Sequence, residues 1–227
     1  MSGSGVQISL QQFKEVLLRL QNEEHAANIN LVTPTHYTPS IAAALGELRD
    51  SRVLTIPVVY NTSSFDSLEA LSLMRGKVDV YLADFKYASA LEAGKLSHAP
   101  RYPEIALAAI EEMIAQVPVW EEDDEGLLLK GVIVRHLVLP GRVEESKRAL
   151  ATLHDRFGGS VRLSIMSQYT PLASGLERYG LAGRVTEEEY EEVLDYADSL
   201  GVEDYFWQQG DAAQESFVPE FNGEGVR

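Results

Sequence analysis

Apolar positions along the chain repeat at two periods, and the switches between them mark out alternating helices and strands. Leu10, Phe13, Leu17 and Leu20 fall at helical spacing and predict an amphipathic helix over about residues 9–22. The run from Asn28 to Thr33 is short, rich in branched residues and strand-like, and turn residues from Pro34 to Pro39 close it. Ser40 is expected to cap a helix over Ile41–Leu48. Val53–Tyr60 reads as a buried strand in spite of Pro57, Asp66–Met74 as a helix and Val78–Leu82 as another strand. Tyr102–Gln116 is helical, with Pro103 tolerated in the first turn. Leu127–Leu139 is a long apolar strand region behind the acidic run Glu121–Glu125, which reads as an exposed loop. Val143–Phe157 is a helix stopped by Gly158-Gly159, and Val161–Met166 is a strand. Thr186–Leu200 is a helix whose Thr186 and Glu189 have capping-box spacing.

Strand and helix thus alternate at least five times at a spacing of roughly 25–30 residues, the mark of parallel βαβ units. The expected fold class is α/β, with parallel strands and outer helices in a single domain over residues 6–227. Residues 1–5 read as a flexible lead or tag. Residues 206–227 have mixed aromatics and no period, and read as a C-terminal covering segment. Folds of this class place function at the carboxyl ends of the strands. Those ends are Thr33–Tyr37, Tyr60–Ser64, Ala83–Tyr87, Arg135–Gly141 and Ser167–Thr170, and polar residues gather there.

Charge narrows the partners. Nineteen Lys and Arg against 35 Asp and Glu leave a formal charge of −16, which opposes affinity for nucleic acid or anionic membrane. No stretch is long and apolar enough to span a bilayer, and Met1–Gly5 lacks the features of a secretory leader, so a cytoplasmic location is expected. The chain has no cysteine, which removes disulfides, thiolate metal sites and cysteine nucleophiles. Its five histidines have no zinc-protease spacing, and no serine-hydrolase elbow or dinucleotide fingerprint is present. Gly94–Ser97 lacks the earlier glycine of a phosphate loop.

The remaining candidates each have a structural and a functional reading. Asp84 and Lys86, two apart at a strand end, fall on one side of the sheet. They can form a structural ion pair, orient a small zwitterion, or serve as acid and base. Asn61 and Thr62 suit a turn or a ligand contact, and His36 a ligand contact or a helix cap. Of Arg135 and His136, one faces the lumen and the other the helices, and a buried Arg135 needs an anionic partner. Gln168 and Tyr169 precede Pro171 in what reads first as an ordinary turn. The acidic runs Glu121–Glu125 and Glu187–Glu192 read as solvated surface.

Together the strand-end segments carry a resemblance. Asn28-Ile-Asn-Leu-Val-Thr-Pro-Thr-His-Tyr37, Tyr60-Asn-Thr-Ser-Ser64, Val78-Asp-Val-Tyr-Leu-Ala-Asp-Phe-Lys-Tyr87, Arg135-His-Leu-Val-Leu-Pro-Gly141 and Met166-Ser-Gln-Tyr169 occur in that order. With Thr186–Tyr190, they resemble the radical S-adenosylmethionine (SAM) superfamily, in the branch described as pyruvate formate-lyase activating enzyme-like iron–sulfur proteins. The resemblance implies a partial (β/α) barrel. It also implies a [4Fe–4S] cluster held by a CxxxCxxC loop after the first strand, with SAM cleaved there to a 5′-deoxyadenosyl radical that abstracts hydrogen. It places Thr33, Thr35 and His36 at the second-strand loop near the SAM amino group, and Asn61 and Thr62 at the third-strand end. By the same resemblance Asp84 and Lys86 match the fourth-strand Asp-x-Lys beside SAM, Arg135 the fifth-strand arginine, and Gln168 or Tyr169 the sixth-strand contact.

The first strand and cysteine loop of that pattern have no counterpart in this chain. The expectation is therefore a truncated member with an incomplete first βα unit and an open sheet edge, unable to perform radical chemistry alone. Its expected partners are a missing N-terminal fragment or a glycyl-radical-type protein substrate. The alternative is a non-catalytic module that binds SAM, another nucleoside or a protein.

Overall fold

The computed structural model describes residues 6–171, 175–202 and 205–207. The expected flexible lead and most of the expected covering segment, residues 208–227, lie outside these. Helices α1 (Leu10–Asn22), α2 (Thr38–Asp50), α3 (Leu68–Met74), α4 (Ala90–Ser97), α5 (Tyr102–Gln116), α6 (Val143–Phe157) and α7 (Glu187–Ser199) alternate with strands. The strands are β1 (Ile29–Val32), β2 (Val58–Thr62), β3 (Val80–Asp84), β4 (Glu121–Glu122), β5 (Leu128–Leu137), β6 (Arg162–Met166) and β7 (Tyr205–Trp207). Six of them form one sheet in the order β1-β2-β3-β5-β6-β7, every neighbouring pair parallel. The parallel α/β sheet expected from the alternation, with the partial-barrel form that the resemblance implies, is the fold observed.

The period-two pattern sends one set of side chains into the core. Ile29, Leu31, Val58, Tyr60, Tyr81, Ala83, Val132, Val134, Leu163 and Ile165 pack against Leu45, Leu71, Ile110, Met113, Leu150, Leu153 and Val193 of the helices. The other face is more open: Val32 is 67% exposed. Register fixes its rows, with Val32, Asn61, Leu82 and Ile133 side by side and Asp84, Arg135 and Ser164 in the next row.

Local chemistry shifts several boundaries from those expected. Ser40 does not cap a helix. The turn Pro34–Tyr37 runs straight into α2, Pro39 fits its first turn, and Ser40 is exposed inside that turn. Val53–Pro57 is not strand: Val53 and Leu54 donate back to the Leu48 carbonyl at the end of α2, and Thr55 and Ile56 donate to the Gln21 side chain. Pairing starts only after Pro57, which has no N–H to give a ladder. Strand β3 lies two residues later than expected and so includes Asp84. Helix α4 was not expected; Ser89 caps it, but only Ala93 is buried, so its apolar period is weak. The acidic run Glu121–Glu125 is exposed but is not simply loop. Glu121 and Glu122 pair antiparallel with β5, and the Asp123 carboxylate accepts from Glu125 and Leu127 N–H to make the turn. At the other end, Phe206 and Trp207 belong to β7 rather than to an aperiodic cover.

Helices α5 and α6 match the expected spans, and Thr186 with Glu189 forms the expected capping box on α7. Arg135, expected at the start of a strand-end loop, lies inside β5.

Candidate functional site

At the carboxyl ends of β2, β3 and β5 the sheet gathers a charged cluster. Asp84 is the last residue of β3, and Arg135 lies beside it in register on β5. The Arg135 Nε donates to Asp84 Oδ1 at 2.9 Å, and its Nη2 donates to Asn61 Oδ1 at 2.7 Å. Lys86, two residues beyond Asp84, returns to the same side and donates through Nζ to Asp84 Oδ2 at 2.8 Å. One carboxylate thus carries two cations, a net charge of +1. Its side chain is 16% exposed, that of Arg135 24% and that of Lys86 42%, so the cluster opens to solvent through Lys86.

A second carboxylate stands close by in sequence and is closed. Asp66, in the loop after β2, is buried and accepts hydrogen bonds from the hydroxyls of Thr35 at 2.7 Å, Tyr60 at 3.2 Å and Thr62. Thr38 completes the network through Tyr60. Burial, with the Asp66 charge beside it, pushes the Tyr60 phenol up to about 12. Thr35 and Thr62, expected as ligand contacts, spend their hydroxyls on this carboxylate. Asp66 was legible only as the start of a helix.

On the helix side of the same strands, a third set of polar groups holds the loop after β3. Residue alternation on β5 turns His136 away from Arg135 and into full burial, with Nδ1 2.8 Å from the Phe85 carbonyl and Nε2 3.0 Å from Ser146 Oγ. A carbonyl only accepts, so Nδ1 carries the proton. Burial lowers the imidazole pKa and keeps the ring neutral. The buried Glu145 accepts from the Ala88 and Ser89 N–H groups at 2.8 and 2.7 Å.

Other expected site residues stand at the β1 and β6 ends. Thr33 is exposed and adopts a left-handed conformation (φ 52°), and His36 is exposed on the following turn. Gln168 is exposed, and Tyr169 donates its hydroxyl to the Leu181 carbonyl at 2.9 Å. Asn61, Asp84, Lys86 and Arg135 are the members of the expected set that share one bonded cluster.

The site's chemistry suits one cofactor and not another. A zwitterion with an ammonium and a carboxylate matches a carboxylate shared with a solvent-facing Lys86 and an Arg135. A four-iron cluster does not fit this chain's own residues. The chain has no thiolate, and no group of three or more potential ligands is assembled among the described residues. A cleft of about 370 Å³ lies at the opposite end, lined by Trp120, His154, Arg162 and the Gly158–Ser160 turn. It sits at the amino ends of β6 and β7, away from the charged cluster.

No protein-family model matches the chain. Uncharacterized protein MJ0674 of Methanocaldococcus jannaschii is 28% identical over 182 residues, which are 79% of this chain and 48% of that protein. The chain therefore spans about half the length of the curated relative it matches. A crystal structure of a domain of pyruvate-formate lyase-activating enzyme from Bacteroides vulgatus superposes with a TM-score of 0.55 at 11% identity, covering 80% of this chain and 98% of that one. Streptococcus suis SuiB bound to S-adenosylmethionine gives a TM-score of 0.57 at 11% identity over 93% of this chain and 45% of SuiB. SuiB bound to precursor peptide SuiA gives 0.59 at 11% identity over 97% and 48%. The fold is that of these neighbours. Among the described residues no helix is long and apolar enough to cross a membrane.

Proposed function

We propose that this chain binds SAM, or a closely related adenosyl zwitterion, at its strand ends and does not perform radical chemistry with its own residues alone. The carrying observation is the Asn61–Asp84–Lys86–Arg135 cluster at the open end of a radical SAM-type fold. A ligand ammonium can replace Lys86 on Asp84 Oδ2, which frees the Lys86 ammonium for the ligand carboxylate. Every charge keeps a partner through that exchange. Thiolates for a cluster would have to come from polypeptide outside this sequence. SuiB, crystallised with a precursor peptide, supports a peptide or protein as the substrate of such an assembly, and a glycyl-radical protein is the narrower form of that reading.

Calorimetry with SAM and S-adenosylhomocysteine tests the binding half; no heat at millimolar ligand overturns it. Anaerobic reconstitution followed by EPR tests the other half, and a stable four-iron cluster on this chain alone refutes it.

A protein-interaction module is the second reading, favoured by the edge of the sheet. Among the described residues β1 pairs only with β2, and Val32 and Tyr37 beside that edge are 67% and 70% exposed. Light scattering on the wild type and Val32→Lys checks it. A wild type that is monomeric at every concentration removes self-pairing through that edge.

A further inference from the structure

Past the end of β3 the chain leaves the ladder, and the polar groups of residues 84–86 need other partners. Phe85 N–H still reaches the Arg135 carbonyl at 2.8 Å. Lys86 N–H does not continue the ladder. It donates instead to the Tyr102 hydroxyl at 2.9 Å, and that hydroxyl lies 2.8 Å from the Asp84 carbonyl and 3.0 Å from the Ser63 carbonyl. Tyr102 comes from the first turn of α5, is 3% exposed, and packs its ring against Phe65, Phe85 and Tyr87. Those ring contacts would be met equally by phenylalanine. What the hydroxyl adds is a junction between the β2 end, which carries Asn61, and the β3 end, which carries Asp84 and Lys86. Arg135 is bonded to both Asn61 and Asp84, so the spacing of these two strand ends sets whether it can reach both.

We infer that Tyr102 is a positioning residue of the charged cluster: its hydroxyl sets the separation of the β2 and β3 ends and so aligns Asn61, Asp84 and Lys86 for a ligand that Tyr102 never touches. This rests on the proposed SAM site for its meaning, but not for its test. Removing the hydroxyl leaves the Lys86 N–H without this acceptor and takes away the single proton that the Asp84 and Ser63 carbonyls share, while the ring stack stays filled.

The test is NMR on the whole chain, following the Arg135 Nε–H and Lys86 amide signals in wild type, Tyr102→Phe and Phe65→Leu. In Tyr102→Phe the Arg135 Nε–H signal should move and its exchange with water quicken by about tenfold. In Phe65→Leu, which trims the ring stack and keeps the hydroxyl, both signals should stay in place. Unchanged Arg135 exchange in a folded Tyr102→Phe overturns the inference. The wild type gives a check independent of any variant: a Lys86 amide exchanging at the rate of an unfolded chain also overturns it. Calorimetry with S-adenosylhomocysteine should show about tenfold weaker binding to Tyr102→Phe. If the wild type binds neither SAM nor S-adenosylhomocysteine, the functional reading fails, and the Arg135 signal still decides the role of Tyr102.

Discussion

Asp66 and Asp84 stand at the ends of neighbouring strands and are satisfied in opposite ways. Asp66 is buried, and its named donors are three neutral hydroxyls drawn from the β1 turn and from β2. Asp84 is partly exposed, and its named donors are two cations, one of which reaches solvent. Neutral hydroxyls held in a dry pocket cannot be exchanged for a ligand without orphaning several buried groups. A solvent-facing ammonium can be. The closed carboxylate therefore belongs to the fold, and the open one is the carboxylate proposed for recognition, although both sit where an α/β fold is expected to carry function.

The sharpest way to break this contrast is to delete each carboxylate. Asp66→Ala should lower unfolding stability by about 3 kcal/mol, because it strands the buried hydroxyls of Tyr60 and Thr62 and the part-buried hydroxyl of Thr35. Asp84→Ala should lower it by about 1 kcal/mol or less, since Lys86 and Arg135 retain water. Urea denaturation of the two variants measures both. Equal losses would mean that Asp84 is as structural as Asp66.

A smaller effect comes from pH. The Tyr60 phenol is raised from its ordinary 10 to about 12 in the folded chain, first by burial and then by Asp66. Its protonated form is thus favoured in the folded state. That contribution is complete below pH 10 and is lost as pH rises from about 10 to about 12, amounting to about 1–2 kcal/mol after solvent screening. Other tyrosines are raised as well, Tyr81 and Tyr102 among them, so the informative quantity is wild type minus Tyr60→Phe. That difference should shrink across the window. A difference flat from pH 9 to pH 12 would detach Tyr60 from the Asp66 network.

The two carboxylates also differ in how far sequence alone discloses them. Asp84 and Lys86 are two apart at the end of an apolar run, and period two suffices to put them on one side. Register with β5 then brings in Arg135, whose need for an anion was legible although its partner was not. Asp66 is bound by Thr35, 31 positions away, and its own neighbourhood reads as a helix start because Ser67 does cap α3. Thr35 and Thr62 were legible as polar strand-end residues, yet nothing local says that they turn inward. The same limit applies to Val53–Pro57, where branched residues read as strand while the helix end and Gln21 take their backbone groups. Capping on α7 is legible in sequence because Thr186 and Glu189 interact within a single turn.

Asp84→Asn gives the smallest change in stability and the most specific change in recognition. An asparagine keeps an oxygen for the Arg135 Nε–H and is nearly isosteric, so unfolding should shift by well under about 1 kcal/mol. The charge of the cluster, however, rises from +1 to +2. SAM carries a sulfonium, an ammonium and a carboxylate, whereas S-adenosylhomocysteine lacks the sulfonium charge. Removing the anion should therefore weaken SAM more than S-adenosylhomocysteine, by about three- to tenfold in the ratio of affinities for a half-exposed site. Raising salt to about 1 M should erase most of that difference, because ions screen the cluster through its open side. If calorimetry finds the two ligands weakened equally at low salt, Asp84 does not face the charged end of the ligand. The contrast between an open and a closed carboxylate would then describe two structural clusters that differ only in exposure.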